Sequence, residues 1–262
     1  MLKHKVLFTV AALVAATFIP LKADDNLKAM TEQHEQKKLD VVDGVKMYRP
    51  FESDGQMVIS DYVDIANKSK ADIFVSSLMY FVERFDMETE YIEAFDDTEG
   101  TFIINKVYKS VSDKNNLLAK KDDVEFNCKI AFKSSTNSIV FRAYDIVASY
   151  KDMGVMSKKA DLAKLCSSDK EKLKSFSEKY ILMNSSLIKD LVEFIEKDNP
   201  QKVTHWSTIA ANDVVQGMNP TEVKLSLGIP ETVRTQGTKD TWMYSNDYVV
   251  IFTSGLVSRI IK

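Results

Sequence analysis

Three acidic side chains that lie close together are the first candidates for chemistry in this sequence. Asp96, Asp97 and Glu99 stand within four consecutive positions, and grouped carboxylates can hold calcium. The alternating Asp-x-Asp-x-Asp pattern of a calcium-binding loop is absent, and a run of this composition is typical of a solvated hairpin turn. We therefore predict a turn here and no metal site.

A second acidic group could supply paired carboxyl groups. Glu88, Glu90 and Glu93 follow one another closely, and glycoside hydrolysis needs two carboxyl groups at a defined separation. A sequence does not set that distance in space, so surface charge is the simpler interpretation. A hydrolase that uses carboxylates brought together by folding, or a glycan- or small-ligand-binding protein, stays open as the alternative function.

Histidine and cysteine form no pattern that predicts a metal site or a nucleophile. Past residue 23 the chain has two histidines, His34 and His205, and two cysteines, Cys128 and Cys166. Their spacing fits no zinc site, and the chain has no nucleophile elbow, phosphate-binding loop or zinc-protease motif. A contact at the entry to a helix explains the pairing of His205 with Trp206. We predict no catalytic, cofactor-binding or metal-binding residue, and a protein that is not an enzyme.

The two cysteines leave two possibilities open. Cys128 alternates with Phe126 and Ile130 on the predicted buried face of a strand, and Cys166 lies in a predicted helix. Buried thiols are common because cysteine behaves as a small hydrophobic residue. A single disulfide is the other possibility, since sequence does not determine the Cα separation that a bridge requires.

The N-terminus has the features of a secretion signal. Lys3 and Lys5 precede an uncharged stretch at residues 6–19, and the small residue Ala23 is followed by Asp24. The 14 residues of that stretch are fewer than the roughly 20 that a membrane-spanning helix needs. We expect cleavage after Ala23 and a periplasmic or secreted protein with no membrane span. No cysteine lies near the cleavage point, so we expect no lipid anchor.

Charge and composition argue against a nucleic-acid partner and for a folded protein. Removal of residues 1–23 takes away three lysines and no acid, so the net charge changes from −3 to −6. A mildly acidic chain with mixed charges is poorly suited to phosphate backbones. The chain is 45% hydrophobic and has 14 Phe and 10 Tyr, enough for substantial cores. The remaining 239 residues suit two domains.

The elements that would position these side chains begin after a polar segment at residues 24–54, which we interpret as a tail or a loosely attached arm. Apolar alternation predicts a strand at 57–65, and Ser69 with Asp72 gives the N-terminal capping signal of a helix. Further strands are predicted at 91–95, 101–109, 124–133 and 139–150. This order predicts an α+β domain at 55–150, an antiparallel sheet with helix on one face.

A few residues of this domain carry a family resemblance: Ser69-Lys70 at the helix start, Tyr91-Ile92, Asp97 with Gly100, and Arg142 in the last strand. With them, residues 55–150 resemble the TBP-like-fold domain of unknown function that occurs in secreted Bacteroidetes proteins. The resemblance implies a fold and a cell-envelope setting. It implies no catalytic residue, because that family has no assigned activity.

A helical connector is predicted at residues 151–200, with an apolar stripe over 157–198. It is long enough for two helices, which would part near 167–168 or near 184–186, where polar side chains compete for backbone hydrogen bonds. Asn199-Pro200 ends the helical pattern.

The clearest local signals lie in a C-terminal domain at residues 201–262. Gly217 fits a helix stop, Asn219 with Glu222 fits the capping box of the next helix, and Gly228 ends that helix. Strands are predicted at 242–244, 248–253 and 256–261. Two short helices followed by about three antiparallel strands make a small α-α-β-β-β unit, which we expect to bury its apolar faces independently of the larger sheet.

A second resemblance rests on Gly217, Glu222-Val223, the Leu-Gly-x-Pro run at 227–230, Trp242-x-Tyr244 and the valine-rich strand ending at Gly255. These residues are similar to the SmpA/OmlA, or BamE-like, module, whose members are small envelope domains that dock onto partner proteins. The resemblance implies an interaction function. We therefore expect a non-enzymatic exported envelope protein that binds another envelope protein through a sheet edge or a helix–sheet groove.

Overall fold

The computed structural model describes residues 41–42, 44–84, 90–110, 124–152, 156–244 and 248–262. The secretion signal with its cleavage after Ala23, His34, Glu88 and most of the predicted arm lie outside the described residues. The described chain is α+β, with antiparallel sheets and helices, as the sequence predicts. No helix within these ranges is long and apolar enough to cross a membrane.

The larger sheet has seven antiparallel strands, in the order β3-β4-β8-β7-β6-β5 with β9 also paired to β8. Both β4 and β9 lie on the side of β8 that faces away from β7: β4 pairs with the first half of β8 and β9 with the second half. Asp145 separates the two halves with a left-handed backbone (φ 51°). The strands are β3 (Phe51–Ser53), β4 (Gln56–Asp64), β5 (Glu90–Asp96), β6 (Thr101–Ser110), β7 (Val124–Ser135), β8 (Ser138–Asp152) and β9 (Met156–Asp161).

Two helices cover one face of this sheet, α1 (Lys70–Glu83) and α3 (Glu171–Lys197). Alternate residues of β7 are buried beneath them, which confirms the apolar alternation predicted there. The predicted capping box of α1 is also present, with the Ser69 hydroxyl accepting from the Asp72 amide at 3.1 Å. The aromatic side chains that fill the space between helices and sheet include Phe74, Phe81, Phe102, Phe126, Phe132, Phe176 and Tyr180.

The predicted arm is wrong for its last residues. A two-stranded sheet of β1 (Val41–Val42) and β2 (Val45–Lys46) leads into a segment whose Val45, Met47 and Tyr48 are buried in the main core. The Tyr48 amide donates to the Ser185 hydroxyl of α3 at 3.0 Å. The apolar side chains are too thinly spaced here to form a periodic pattern, yet each one reaches the core.

The connector differs from the prediction at its start and agrees with it further on. Residues 157–161 belong to β9 and are not helical, because they pair with the second half of β8. The break predicted near 167–168 is present between α2 (Leu162–Ser167) and α3. No break occurs at 184–186, where Asn184 and Ser185 are buried against the sheet inside a continuous helix.

The C-terminal part contains α4 (Trp206–Ala210), α5 (Pro220–Leu227) and a second antiparallel sheet. The capping box of Asn219 and Glu222 and the stop at Gly228 (φ 81°) are confirmed. Gly217 is not a helix stop: α4 ends at residue 210, and Gly217 lies in a turn before α5. The sheet has four strands where about three were predicted, in the order β10 (Thr232–Gln236), β11 (Lys239–Met243), β12 (Val249–Thr253) and β13 (Leu256–Ile261).

The expectation of two separate cores is wrong. Buried apolar side chains of both sheets form one continuous cluster, because α1 packs against the larger sheet and also contacts α5. An ion pair between Lys224 of α5 and Glu83 of α1, 3.2 Å between Nζ and Oε1, joins the same two helices. The domain boundaries at residues 150 and 200 remain a prediction.

Candidate binding groove

The first wall of a groove is formed by the start of α1 and the turn between β5 and β6. The Asp96 carboxylate accepts from the amides of Thr98 and Glu99, both at 3.0 Å, and this closes the turn. The Lys70 ammonium donates to the Thr98 carbonyl at 3.0 Å and ties the turn to the helix. Gly100 has a left-handed backbone (φ 68°), and a Cβ there would lie 2.6 Å from the Lys70 Cε.

The opposite wall is the segment that joins α3 to α4. Its beginning is held by α1 and by the residues just before that helix: the Ser76 hydroxyl donates to the Asp198 carboxylate at 2.7 Å, and the Lys68 ammonium donates to the Asp198 carbonyl. Its end is held by the C-terminal part, where the Asn219 side-chain amide donates to the Lys202 carbonyl at 2.8 Å. The segment is therefore fixed at both ends.

Trp206 lies between the two walls. Its ring is 5.4 Å from that of Phe74 on α1 and 5.6 Å from that of Phe95 on β5, and both pairs are tilted. The indole is half-buried, so part of it faces the groove. One aromatic side chain thus links the helix, the larger sheet and the C-terminal part.

The groove between these walls has a volume of about 560 Å³. Its floor is apolar, formed by Phe74, Val75, Val203 and Trp206. Charged side chains of both signs surround it: Lys70, Asp72, Asp97 and Lys202. An apolar floor with a mixed polar rim is typical of sites that take a partner's side chain or a small molecule.

Beside the groove, Glu222 organises the start of α4. Its side chain is 1% exposed. One carboxylate oxygen accepts from the Thr204 amide at 2.6 Å and from the His205 amide at 3.1 Å, and it lies 2.9 Å from the His205 Nδ1. The other oxygen accepts from the Asn219 amide at 2.8 Å. Glu222 therefore joins two segments that are far apart in the sequence.

The surroundings of Glu222 favour its ionised form. Burial acts to raise the pKa of the carboxyl, but hydrogen bonds from the Thr204, Asn219 and His205 groups together hold the pKa below its ordinary value. Both oxygens of this ionised, buried carboxyl accept hydrogen bonds from the chain. Glu222 therefore fixes the start of α4 to the N-terminal cap of α5.

Four of the acidic side chains singled out in the sequence are described by the structure, and they have different surroundings. Asp96 is engaged in its turn, as predicted, while Asp97 lies at the groove rim and Glu99 is exposed. Glu93 accepts from Lys129 at 3.0 Å and from Asn105 at 3.1 Å on the sheet face opposite the helices. Among the described residues, no three His, Cys, Asp or Glu side chains are grouped as a metal site would require.

His205 and Trp206 contact different neighbours. His205 is the N-cap residue of α4, and its carbonyl accepts from the amides of Thr208 and Ile209 at 3.0 Å. The predicted contact at a helix entry is therefore present. Its ring turns to Glu222, whereas the indole of Trp206 turns to Phe74, so the two side chains do not form one site.

Both cysteines are free thiols, which decides between the two possibilities that the sequence left open. Cys128 is buried on β7, and desolvation raises its pKa to about 12. Cys166 is partly buried on α2, where desolvation also raises its pKa. Neither environment produces the thiolate that a nucleophilic cysteine needs.

Sequence reasoning missed the groove and the second role of Glu222. The capping signal at Asn219 and Glu222 was readable, because its partners lie three residues apart. The bonds from Glu222 to residues 204 and 205 cross 18 and 17 positions, and no short motif encodes them.

Comparison with known proteins adds two similar structures. Neither a protein-family model nor a curated protein matches the sequence. A TBP-like protein from Parabacteroides distasonis is 18% identical with a TM-score of 0.48, and the match covers 57% of this chain and 98% of that protein. A DUF4468 family protein from Bacteroides ovatus is 18% identical with a TM-score of 0.46, and the match covers 58% of this chain and 94% of that protein. Both similar proteins are thus matched over nearly their whole length by somewhat more than half of this chain.

Proposed function

We propose that this chain is a non-enzymatic, exported protein of the cell envelope that binds another envelope protein. The groove around Trp206 is the observation that carries the proposal. It combines an apolar floor, a partly accessible indole and rim charges of both signs, and aromatic side chains of this kind anchor many protein interfaces. Export rests on the sequence of residues 1–24, and the BamE-like character of the C-terminal part is a further element of the same proposal.

The state of the polar groups supports binding over catalysis. The Asp72 carboxylate accepts from the Ser69 hydroxyl at 2.7 Å in the helix cap, and the Glu222 carboxylate accepts from the amides of Thr204, His205 and Asn219. A general acid or base needs a free lone pair or proton near the substrate. The charged side chains at the groove rim, Lys70, Asp72, Asp97 and Lys202, would then serve recognition of the partner.

Photo-cross-linking in the envelope tests the proposal. A photoreactive phenylalanine analogue at Gln201, an exposed residue of the groove lining, should give a discrete adduct of higher mass after irradiation. The same substitution at Lys189, exposed on α3, is the matched control and should give none. Reversal of a rim charge, Lys202→Glu, should lower the yield at position 201 at least fivefold without lowering the melting temperature.

The proposal fails if adducts form equally at 201 and 189, or at neither position in cells that export the protein. It also fails if the adduct at 201 is insensitive to the rim reversal. A protein that proves to be retained in the cytoplasm would remove the envelope part of the proposal, whatever it binds.

The volume of the groove supports one second candidate, a small-ligand-binding protein. About 560 Å³ lies within the roughly 300–1,000 Å³ of small-molecule pockets, and an indole face can stack on a sugar ring. Ligand-observed NMR with a panel of oligosaccharides separates the two candidates. Binding that is lost in Trp206→Ala but kept in Trp206→Phe would favour the ligand, whereas no binding by any oligosaccharide favours the protein partner.

A further inference from the structure

We propose that the C-terminal sheet binds an extended, acidic segment of a partner protein, which adds to β10 as a fifth strand. This surface lies on different elements from the groove, and its argument is independent of the function proposed above. It rests on the free edge of β10, on the side chains that the four strands present to solvent, and on their charge.

The two edges of the C-terminal sheet differ. Next to β13, Gly217 and Met218 form backbone hydrogen bonds with Val257, at 2.9 Å from the Gly217 amide and at 2.8 Å to the Met218 carbonyl. That edge is therefore partly covered by the chain itself. All five residues of β10 are exposed, and no described residue pairs with its outer edge.

An open edge strand is a template for another chain, because every second residue directs its N–H and C=O away from the sheet. Proteins commonly protect such edges with proline, bulges or several charges. The sequence of β10 is Thr-Val-Arg-Thr-Gln, and its pairing with β11 is regular over all five residues. It contains residues that favour strands, no proline and a single charge, so it is poorly protected.

The strand registers define what the partner would meet. On the face turned away from the helices, side chains form three rows across the sheet. None of the twelve is buried, in contrast to Trp242, Val250, Phe252 and Val257 on the opposite face. The rows are Thr232–Met243–Val249–Ile261, Arg234–Thr241–Ile251–Arg259 and Gln236–Lys239–Thr253–Leu256.

The charge of this face is one-sided. Arg234, Lys239 and Arg259 are its charged residues, and no acid lies in the three rows. Asp240 belongs to the other face, since it pairs with the buried Phe252. The chain as a whole has a net charge of −3, so a face with three cations and no acid stands out from the rest.

Together these rows predict the pattern of the bound segment. Side chains of a strand alternate between faces, so residues i and i+2 of the segment lie on the same face. One of them would stand opposite Arg234 and should be Asp or Glu. The other would stand opposite Thr232, at the end of the row with Met243, Val249 and Ile261, and should be aliphatic.

The free edge favours a peptide over an anionic membrane as the occupant. Lipid headgroups could meet the three cations, but they have no backbone to pair with β10. A peptide strand satisfies the edge and the cations at once. A lipid surface is therefore one of the outcomes that the test must separate.

Selection of peptides on the full-length protein tests the inference. A phage-displayed library of random twelve-residue peptides should yield sequences with Asp or Glu two positions from Val, Ile or Leu. Selection on Arg234→Glu should replace the acid by Lys or Arg, while Lys189→Glu, an exposed reversal on α3, should leave the pattern unchanged. A synthetic selected peptide should bind Arg234→Glu at least tenfold more weakly.

Backbone pairing has its own readout. N-methylation of the peptide at alternate amides should abolish binding for one of the two sets of positions and leave the other nearly unchanged, because only one set faces β10. An equal loss of affinity for peptides methylated at either set of amides would contradict strand addition. An unchanged affinity for Arg234→Glu would contradict it as well. No enriched peptide, or enriched peptides without acids, would overturn the inference. So would binding only to phosphatidylglycerol vesicles that is lost in Arg234→Glu.

Discussion

Replacement of Glu222 by Gln removes one charge at the point where the connector meets the C-terminal part. The two side chains have nearly the same shape, so packing is preserved. One carboxylate oxygen serves Thr204 and His205, and the other serves the Asn219 amide. An amide keeps one acceptor oxygen, but its NH2 group then faces a donor.

The size of the effect follows from those bonds. If the partly buried Asn219 amide loses its acceptor, the free energy of unfolding falls by about 1–2 kcal/mol. The change from charge-assisted to neutral hydrogen bonds at the other oxygen lowers it by about 1 kcal/mol more. We expect the free energy of unfolding to fall by about 2–3 kcal/mol, which corresponds to a decrease in Tm of roughly 5–10 °C for a chain of this size.

The effect should depend on pH with a defined sign. The folded state lowers the pKa of Glu222. Its stabilising contribution is therefore fully present above the ordinary glutamate pKa of about 4.3 and is lost as pH falls through the lower folded pKa. The free energies of unfolding of wild type and Glu222→Gln should differ most at pH 7, and this difference should become smaller towards pH 3.

Urea unfolding followed by tryptophan fluorescence measures this difference, because Trp206 directly follows His205 and Trp242 is buried in the C-terminal sheet. Glu231→Gln is the matched control, since Glu231 is exposed in the same part of the chain. It should change stability by less than about 0.5 kcal/mol. Equal effects of the two substitutions, or a Glu222→Gln deficit that is the same at pH 7 and pH 3, would refute the reasoning.

Three further predictions follow from the core, the cysteines and the N-terminus. Phe102→Ala should lower the unfolding free energy by about 3–5 kcal/mol, because this fully buried ring stacks at 4.7 Å on its neighbour in β7; the exposed Leu256→Ala should change it by less than about 0.5 kcal/mol in the same urea assay. Native protein at pH 8 should resist Ellman's reagent at Cys128, whereas unfolded protein should react at Cys128 and Cys166 together; a mass 2 Da lower, as for a disulfide, would contradict both free thiols. N-terminal sequencing of protein purified from the envelope should begin at Asp24, and a sequence that begins at the initiator methionine would contradict export.

Much of the fold was predictable because its signals are local. The helix starts at Ser69 and Asn219 depend on partners three residues away, and the alternation of β7 reflects one buried and one solvated face. Residues 156–161 lack such a signal. Met-Ser-Lys-Lys-Ala-Asp becomes β9 only because the long strand β8 offers a free second half.

The sites were less predictable, because their residues are distant from one another in the sequence. The groove combines residues 70–75, 97–100 and 200–206, which only the fold brings together. The edge strand β10 has no apolar alternation, and it is a strand because Gly237, with φ 61°, lets the chain fold back onto β11.

The position of Trp206 has a mechanical consequence. A force applied to the C-terminal part would be transmitted to α1 through the contact between Trp206 and Phe74 and through the ion pair between Lys224 and Glu83. Because buried apolar side chains of both parts form one cluster, a chain cut at Pro200 would give two fragments that each expose apolar surface. The two parts are therefore poorly suited to separate expression.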